Sequence, residues 1–383
     1  MTTKLNGIVI LPILKITKQS QKKIHDESSF KRQLACSVLF MLSLLIASCT
    51  GDKESNVKQT PDWLTSTDSL LLSLHQKDSF NGTVLVATHD TVYSRAFGFA
   101  SMDPEVALET DHVFYLGSLA KQFTATAIMA LKSDGLLNYD DPLIKHVPEL
   151  PGFMAPITLR HMLNHTSGLP DYYNLGVFKT GMTNSMVLGA MLQIDSLDFS
   201  PGTKYSYSNS GYVLLSIVAE RVGGKLFGDL LRERVFVPLG MNSTVVYDTT
   251  SPTLPPRATG HTPAGEVDDY GAFTTGGGGI FSNVNDLYKW ANRRQHPEID
   301  KLFDQEAYSP AVLSNDSLSM YGFGWRLDPN NKNIVQHSGS LQGFRTYMYQ
   351  DLEKEIVIIL LSNFTNNVSF IHNKILKEII ENP

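Results

Sequence analysis

Apolar and polar positions alternate in two short runs, Thr83–Thr88 and Val92–Gly98, joined by His89-Asp90-Thr91. A period of two on either side of a polar turn predicts an antiparallel hairpin. The pattern returns late in the chain at Phe344–Gln350 and Glu355–Asn363. Helical spacing marks Ser69–Lys77, rich in leucine, and Val368–Ile380, where Ile371, Ile375 and Ile379 share one face. Between these ends the texture is helical with long loops, clearest at Ser118–Ser133, Thr158–His165 and Gly211–Arg221. Strands at both ends of a helix-rich middle predict an α+β chain: an antiparallel β-sheet completed by distant segments, flanked by helices, with an inserted mainly helical domain. The expected body is 63–383, with its α/β part at about 63–135 and 250–383 and its helical part at about 136–249. Neither an internal repeat nor a long low-complexity tract is present.

The first residues depart from this scheme. Leu34–Ala47 is a run of fourteen uncharged, mostly apolar residues behind Lys31-Arg32. That is short of the roughly 20 residues of a membrane-spanning helix but suits the apolar core of a secretory signal. The run closes on Ile46-Ala47-Ser48-Cys49, which resembles a bacterial lipobox, with an ordinary signal peptide or short anchor as the plainer alternative. The expectation is a removed segment at 1–48, a lipidated Cys49, and a polar tether at 49–62. The protein would then be an exported lipoprotein, membrane-anchored and facing the periplasm or the exterior. The basic lead before the apolar run is unusually long, which leaves the start codon open. Loss of 1–48 would remove Cys36 and with it any intramolecular disulfide.

Charge sharpens the contrast. Residues 1–48 carry a net +5, so the rest of the chain holds −11 of the total −6. An acidic body argues against nucleic acid as a partner, because phosphate-backbone binding needs a basic face. With 42% hydrophobic residues the chain can bury a sizeable core. Two cysteines exclude a disulfide scaffold and a thiolate zinc cluster.

The candidate chemistry begins at Ser118-Leu119-Ala120-Lys121. A serine hydroxyl is a poor nucleophile until a base takes its proton, and residues three apart on a helix share a face, within reach of each other. If Ser118 opens the helix, the N-terminal dipole also favours the negative charge of acyl transfer. Lys121 can act as that base only if burial or a nearby cation lowers its pKa from about 10.4. The same spacing occurs at Ser20–Lys23, Ser28–Lys31 and Ser55–Lys58, all in the leader or tether; only Ser118 heads an apolar helical pattern (Phe123, Ala127, Ile128, Leu131).

Two further clusters accompany it. Tyr207-Ser208-Asn209 lies between the turn at Pro201-Gly202 and a buried-looking helix, and is preferred over the rival Tyr172-Tyr173-Asn174. A tyrosine near a Ser–Lys pair can relay protons, and an amide can hold substrate or the lysine. His337-Ser338-Gly339-Ser340 is read as ending a strand, where backbone amides beside glycine can approach a carbonyl oxygen.

Ser118-x-x-Lys121, Tyr207-x-Asn209 and His337-x-Gly339, in that order, resemble the three motifs of the serine β-lactamase and penicillin-binding-protein superfamily, in its class C-like branch with D,D-peptidases, D-aminopeptidases and carboxylesterases. Phrases at Gly135–Pro142, Arg160–Leu169, Pro238–Met241 and Tyr321–Trp325 resemble that branch too, and the likeness spans roughly 75–365. The resemblance implies Ser118 as acylated nucleophile, Lys121 as its base, Tyr207 as proton relay and Asn209 as orienter of substrate and Lys121. It implies substrate contacts at His337, Gly339 and Ser340, with the Ser118 and Ser340 amides as oxyanion hole. His337 stands where many relatives carry a carboxylate-recognising lysine, and a neutral imidazole is a weaker partner for a carboxylate.

Other constellations carry less. His161 and His165 lie four apart on an expected helix, a spacing that suits zinc, but no Glu follows His161 and no third ligand suggests itself, so no metal is expected. Gly276–Gly279 lacks the Lys-Ser/Thr of a phosphate loop and is read as close backbone packing. No Gly-x-Ser-x-Gly elbow occurs. The expected function is an exported serine acyl hydrolase working through an acyl-enzyme, without cofactor, on D-amino-acid peptides of cell-wall type or small esters and amides. The alternatives are a class C-like β-lactamase and a non-catalytic wall- or partner-binding lipoprotein. Oligomeric state is left open.

Overall fold

Six strands form the main sheet: β1 (Gly82–Thr88), β2 (Thr91–Phe97), β3 (Arg326–Leu327), β4 (Ile334–Leu341), β5 (Phe344–Asp351) and β6 (Ile356–Ser362). They lie in the order β3-β4-β5-β6-β1-β2, and every neighbouring pair is antiparallel. The computed structural model describes residues 61–250, 253–303, 305–364 and 368–381; the apolar run, Cys49 and nearly all of the tether lie outside the described residues. Five longer helices matter for the site: α1 (Asp62–Gln76), α2 (Ala120–Ser133), α3 (Asn209–Gly223), α4 (Val284–Ala291) and α5 (Val368–Glu381).

The sheet is closed across sequence ends, since β1 pairs with β6 from Gly82↔Ser362 to Ala87↔Val357. β6, Ile-Val-Ile-Ile-Leu-Leu-Ser, is buried at every position, as a central strand covered on both faces requires. Alternate side chains then serve separate cores. Val84, Val86, Ile358 and Leu360 pack with Trp63 and Leu71 of α1 and Ile371, Ile375 and Ile379 of α5. Leu85, Ala87, Ile359 and Leu361 face the larger core with α2, α3 and α4. That second core holds the interior of the helix-rich middle, including Leu163, Tyr212, Val213 and Leu231.

Most expected elements appear within a residue or two, and three differ instructively. α1 begins at Asp62 rather than Ser69, because Trp63 and Thr67 continue the buried face of Leu71 upstream at spacings of four. The expected Thr158–His165 helix stops at Leu163. His165 adopts φ +61°, the left-handed region, so His161 and His165 do not share a helix face. β4 runs through to Leu341, which puts His337 in mid-strand rather than at a strand end.

Candidate active site

Ser118 sits in a 3-10 turn, Gly117–Leu119, directly ahead of α2. Tyr115 pairs with Phe281. The Leu116 carbonyl accepts a 2.7 Å bond from the Thr346 hydroxyl on β5, and its N–H donates to the Ile280 carbonyl at 2.9 Å. Gly117 takes φ +55°, and a Cβ on it would stand 2.8 Å from the Ser340 nitrogen. A Cβ on Gly339 would overlap the Leu116 carbonyl and the Thr346 hydroxyl and lie 3.0 Å from the Ser118 nitrogen. Both positions need glycine, because a side chain at either would push the serine turn off β4.

One turn further on, Lys121 is fully buried. Its Nζ lies 3.1 Å from Ser118 Oγ, 2.7 Å from Asn209 Oδ1 and 2.8 Å from the Gly277 carbonyl. Burial brings its pKa down to about 7; the Asp171 carboxylate works against that fall and Arg326 adds to it. A neutral amine has two N–H groups, and Asn209 Oδ1 and the Gly277 carbonyl are acceptors only. With both occupied, the neutral amine keeps its lone pair for the Ser118 hydroxyl, whereas the ammonium donates its third N–H to Oγ.

Asn209 opens α3 and is itself held by Asp171, whose Oδ2 accepts from the Asn209 backbone N–H and from Nδ2, each at 2.8 Å. Tyr207 lies over this group, its ring centroid 4.8 Å from Lys121 Nζ. The phenol oxygen is buried and makes no hydrogen bond of normal geometry. Burial raises its pKa, opposed by the nearby Ser118 hydroxyl, so the phenol stays protonated at neutral pH. His165 packs 4.2 Å behind the Tyr207 ring and accepts from the Ser208 N–H through Nδ1 at 3.2 Å.

His337 occupies a different setting. It is buried, its Nδ1–H donates to the Ser338 carbonyl at 2.8 Å, and its Nε2 accepts from the Tyr321 hydroxyl at 2.9 Å. Since a carbonyl only accepts, Nδ1 carries a proton, and the low pKa leaves Nε2 bare and the ring neutral at pH 7. Burial, with Arg326 and Lys121 nearby, lowers its pKa to about 3. The exposed cation beside the site is Arg326 on β3, whose Cζ lies 5.5 Å from the Tyr207 ring centroid.

A cleft of about 380 Å³ opens over Ser118, walled by Tyr207, Asn209, Gly277, Ser340 and the Tyr172–Asn174 segment. Ser118, Lys121, Tyr207, Asn209 and Ser340 are thus brought together; Gly339 lies under the serine turn, and His337 does not line the cleft. The rival Tyr172-Tyr173-Asn174 forms a wall of the same cleft, its two rings stacked at 4.5 Å. Gly276–Gly279 supplies an acceptor for Lys121 and packs tightly, with a Cβ on Gly276 overlapping the Tyr212 carbonyl. Among the described residues no group of three or more His, Cys, Asp or Glu is placed to hold a metal ion. Sequence reasoning missed Asp171 and Arg326. Asp171 follows a quoted phrase by two residues, and Arg326 directly follows Trp325, but neither spacing announces a role.

An antiparallel sheet built from residues 82–97 and 326–362, flanked by helices, with Ser118, Lys121 and Tyr207 grouped beside it, fits the serine β-lactamase and penicillin-binding-protein class. The family profile described as Beta-lactamase matches residues 68–379, and the chain belongs to that family, whose members are hydrolases. It is 34% identical over 323 residues to penicillin-binding protein 4* of Bacillus subtilis, covering 77% of this chain and 70% of that one. Among solved structures it resembles the D-amino acid amidase of Ochrobactrum anthropi SV3 complexed with L-phenylalanine (TM-score 0.70, 25% identity, 83% of this chain and 98% of that one). A class C beta-lactamase shares the fold (TM-score 0.71, 21% identity, 86% and 98% covered).

Proposed function

We propose that the protein is an exported serine acyl hydrolase that cleaves D-amino-acid peptides or small amides and esters through an acyl-enzyme on Ser118. The observation that carries this reading is Lys121: a buried amine with pKa about 7, 3.1 Å from Ser118 Oγ, whose neutral form has both N–H groups on Asn209 Oδ1 and the Gly277 carbonyl and offers its lone pair to the serine. Lys121 takes the serine proton as Oγ attacks the substrate carbonyl, and the Ser118 and Ser340 amides receive the developing oxyanion. Protonated Tyr207 donates to the leaving nitrogen or oxygen and recovers a proton from the Lys121 ammonium. Water then attacks the acyl-enzyme, giving its proton to these groups, which return one to Ser118 Oγ.

With His337 neutral, a carboxylate on the substrate finds its cation in Arg326, beside Tyr207. This suits substrates that carry a free carboxylate beside the scissile bond, as peptides ending in a D-residue do. Export and lipid attachment through Cys49 belong to the same proposal. Palmitate labelling that persists in Cys49→Ala would remove the anchor from it.

The function is tested by intact-protein mass spectrometry after brief exposure to a penicillin and, separately, to a D-alanyl-D-alanine peptide ester. The expected result is an acyl adduct on the wild type and none on Ser118→Ala. Absence of an adduct or of turnover with peptide, amide and ester alike would leave the non-catalytic reading standing.

A further inference from the structure

Arg293 lies in the short turn after α4 and is buried. Its Cζ sits 4.4 Å from the Phe303 ring centroid, 4.7 Å from Trp290, 5.1 Å from Trp325 and 5.9 Å from Tyr308. Nη1 donates to the Trp290 carbonyl at 3.0 Å and to Gln350 Oε1 at 3.3 Å, and Nη2 donates to the Tyr308 hydroxyl. None of these partners is a carboxylate. A guanidinium has five N–H donors, so two remain uncommitted. Aromatic faces and neutral dipoles hold the cation but do not cancel its charge.

That charge faces an open cavity of about 510 Å³ lined also by Arg294 and Lys332, both exposed. Neither has an ion-pair partner among the described residues. Among the described residues one carboxylate, Asp300, lies in the lining against three cations, and Glu353 stands behind it as acceptor from Asn333 Nδ2 at 2.8 Å. Gln350 pairs with Val335, five residues before Ser340 on β4, so the cavity is roughly 17 Å along the strand from the serine cleft.

We propose that this cavity is a second binding site, for a phosphate-class oxyanion, with Arg293 as its fixed floor and Arg294 and Lys332 as its mobile rim. Buried arginine is the side chain suited to such a floor, since its planar fork presents paired donors to oxyanion oxygens. The cavity is larger than one inorganic phosphate, which leaves room for the organic part of an ester.

The test is calorimetric titration of the full chain with inorganic phosphate and with glycerol phosphate, at ionic strength matched with chloride. Saturable binding of phosphate is expected, weakening as salt rises. Arg294→Gln/Lys332→Gln, altered only at exposed positions, should bind about tenfold or more weakly. Asp300→Asn should bind more tightly, because it removes a negative charge from the lining. Preference for glycerol phosphate would identify an ester such as a lipid headgroup as the source, and equal affinity would identify free phosphate. No saturable binding above chloride, or binding undiminished in the double variant, would overturn the proposal.

Discussion

The Asp171 carboxylate grips Asn209 twice with one oxygen, through the backbone N–H and through Nδ2, both at 2.8 Å. The Asn209 amide therefore has one orientation, with Oδ1 turned to Lys121 Nζ at 2.7 Å. Asp171 also raises the lysine pKa from a distance. In the proposed mechanism it is a positioning residue that acts on Lys121 through Asn209.

Asp171→Asn should keep the fold and lower kcat by about 10- to 100-fold, the usual scale for an orienting partner. Loss of the carboxylate lets the Lys121 pKa fall further, so the acid limb of kcat/KM, expected near pH 7 in the wild type, moves to lower pH. A pH–rate profile separates this from a merely structural defect, which would lower the curve without shifting it.

Tyr207→Phe should lose turnover by about 10² or more, the contribution of general acid–base help. Thermal stability should be unchanged or slightly higher, since the phenol oxygen is buried without a hydrogen bond. Steady-state kinetics alongside a melting curve checks both halves. Near-normal turnover would remove the proton-relay role.

Arg326→Ala should raise KM about tenfold for peptides with a free terminal carboxylate and leave neutral amides and esters close to wild type. Because Arg326 lowers the Lys121 pKa, its removal should move the acid limb upward, opposite to Asp171→Asn. Equal effects on charged and neutral substrates would argue against carboxylate recognition.

His372 on α5 is buried between Tyr347 and Tyr349, and neither ring nitrogen has a hydrogen-bond partner. Burial lowers its pKa from 6.5 to about 4. Between those values the unfolded chain binds a proton that the folded chain refuses. The stability held by the neutral ring is thus full above pH 6.5 and lost as pH falls towards 4, with a slope of about 1.4 kcal/mol per pH unit. Denaturant unfolding of His372→Phe should show a shallower decline across that window. An identical pH dependence would rule out this histidine as a contributor.

The patterns that were legible share a physical origin: they are local. Ser118 and Lys121 are one helical turn apart, so their reach follows from helix geometry alone. The hairpins followed from alternation, and the α5 face from isoleucines four apart. His165 misled because a left-handed residue has no signature in apolar spacing. His337 misled because its motif position implies contact with substrate, whereas its ring nitrogens are spent on Tyr321 and the Ser338 carbonyl.

By itself, then, the sequence determined the elements, their class and the closeness of Ser118 to Lys121, all set by residues within a few positions of each other. Only the tertiary structure decided the protonation states. Lys121 becomes a weaker base because folding buries it completely, among segments that bring Asn209 from 88 residues away and Gly277 from 156. His337 is neutral for the same kind of reason, and Asp171 and Arg326 acquire roles only by meeting α3 and Tyr207 in space. A pKa is set by desolvation and by the donors and charges that surround a group, and those neighbours exist only once the chain has folded.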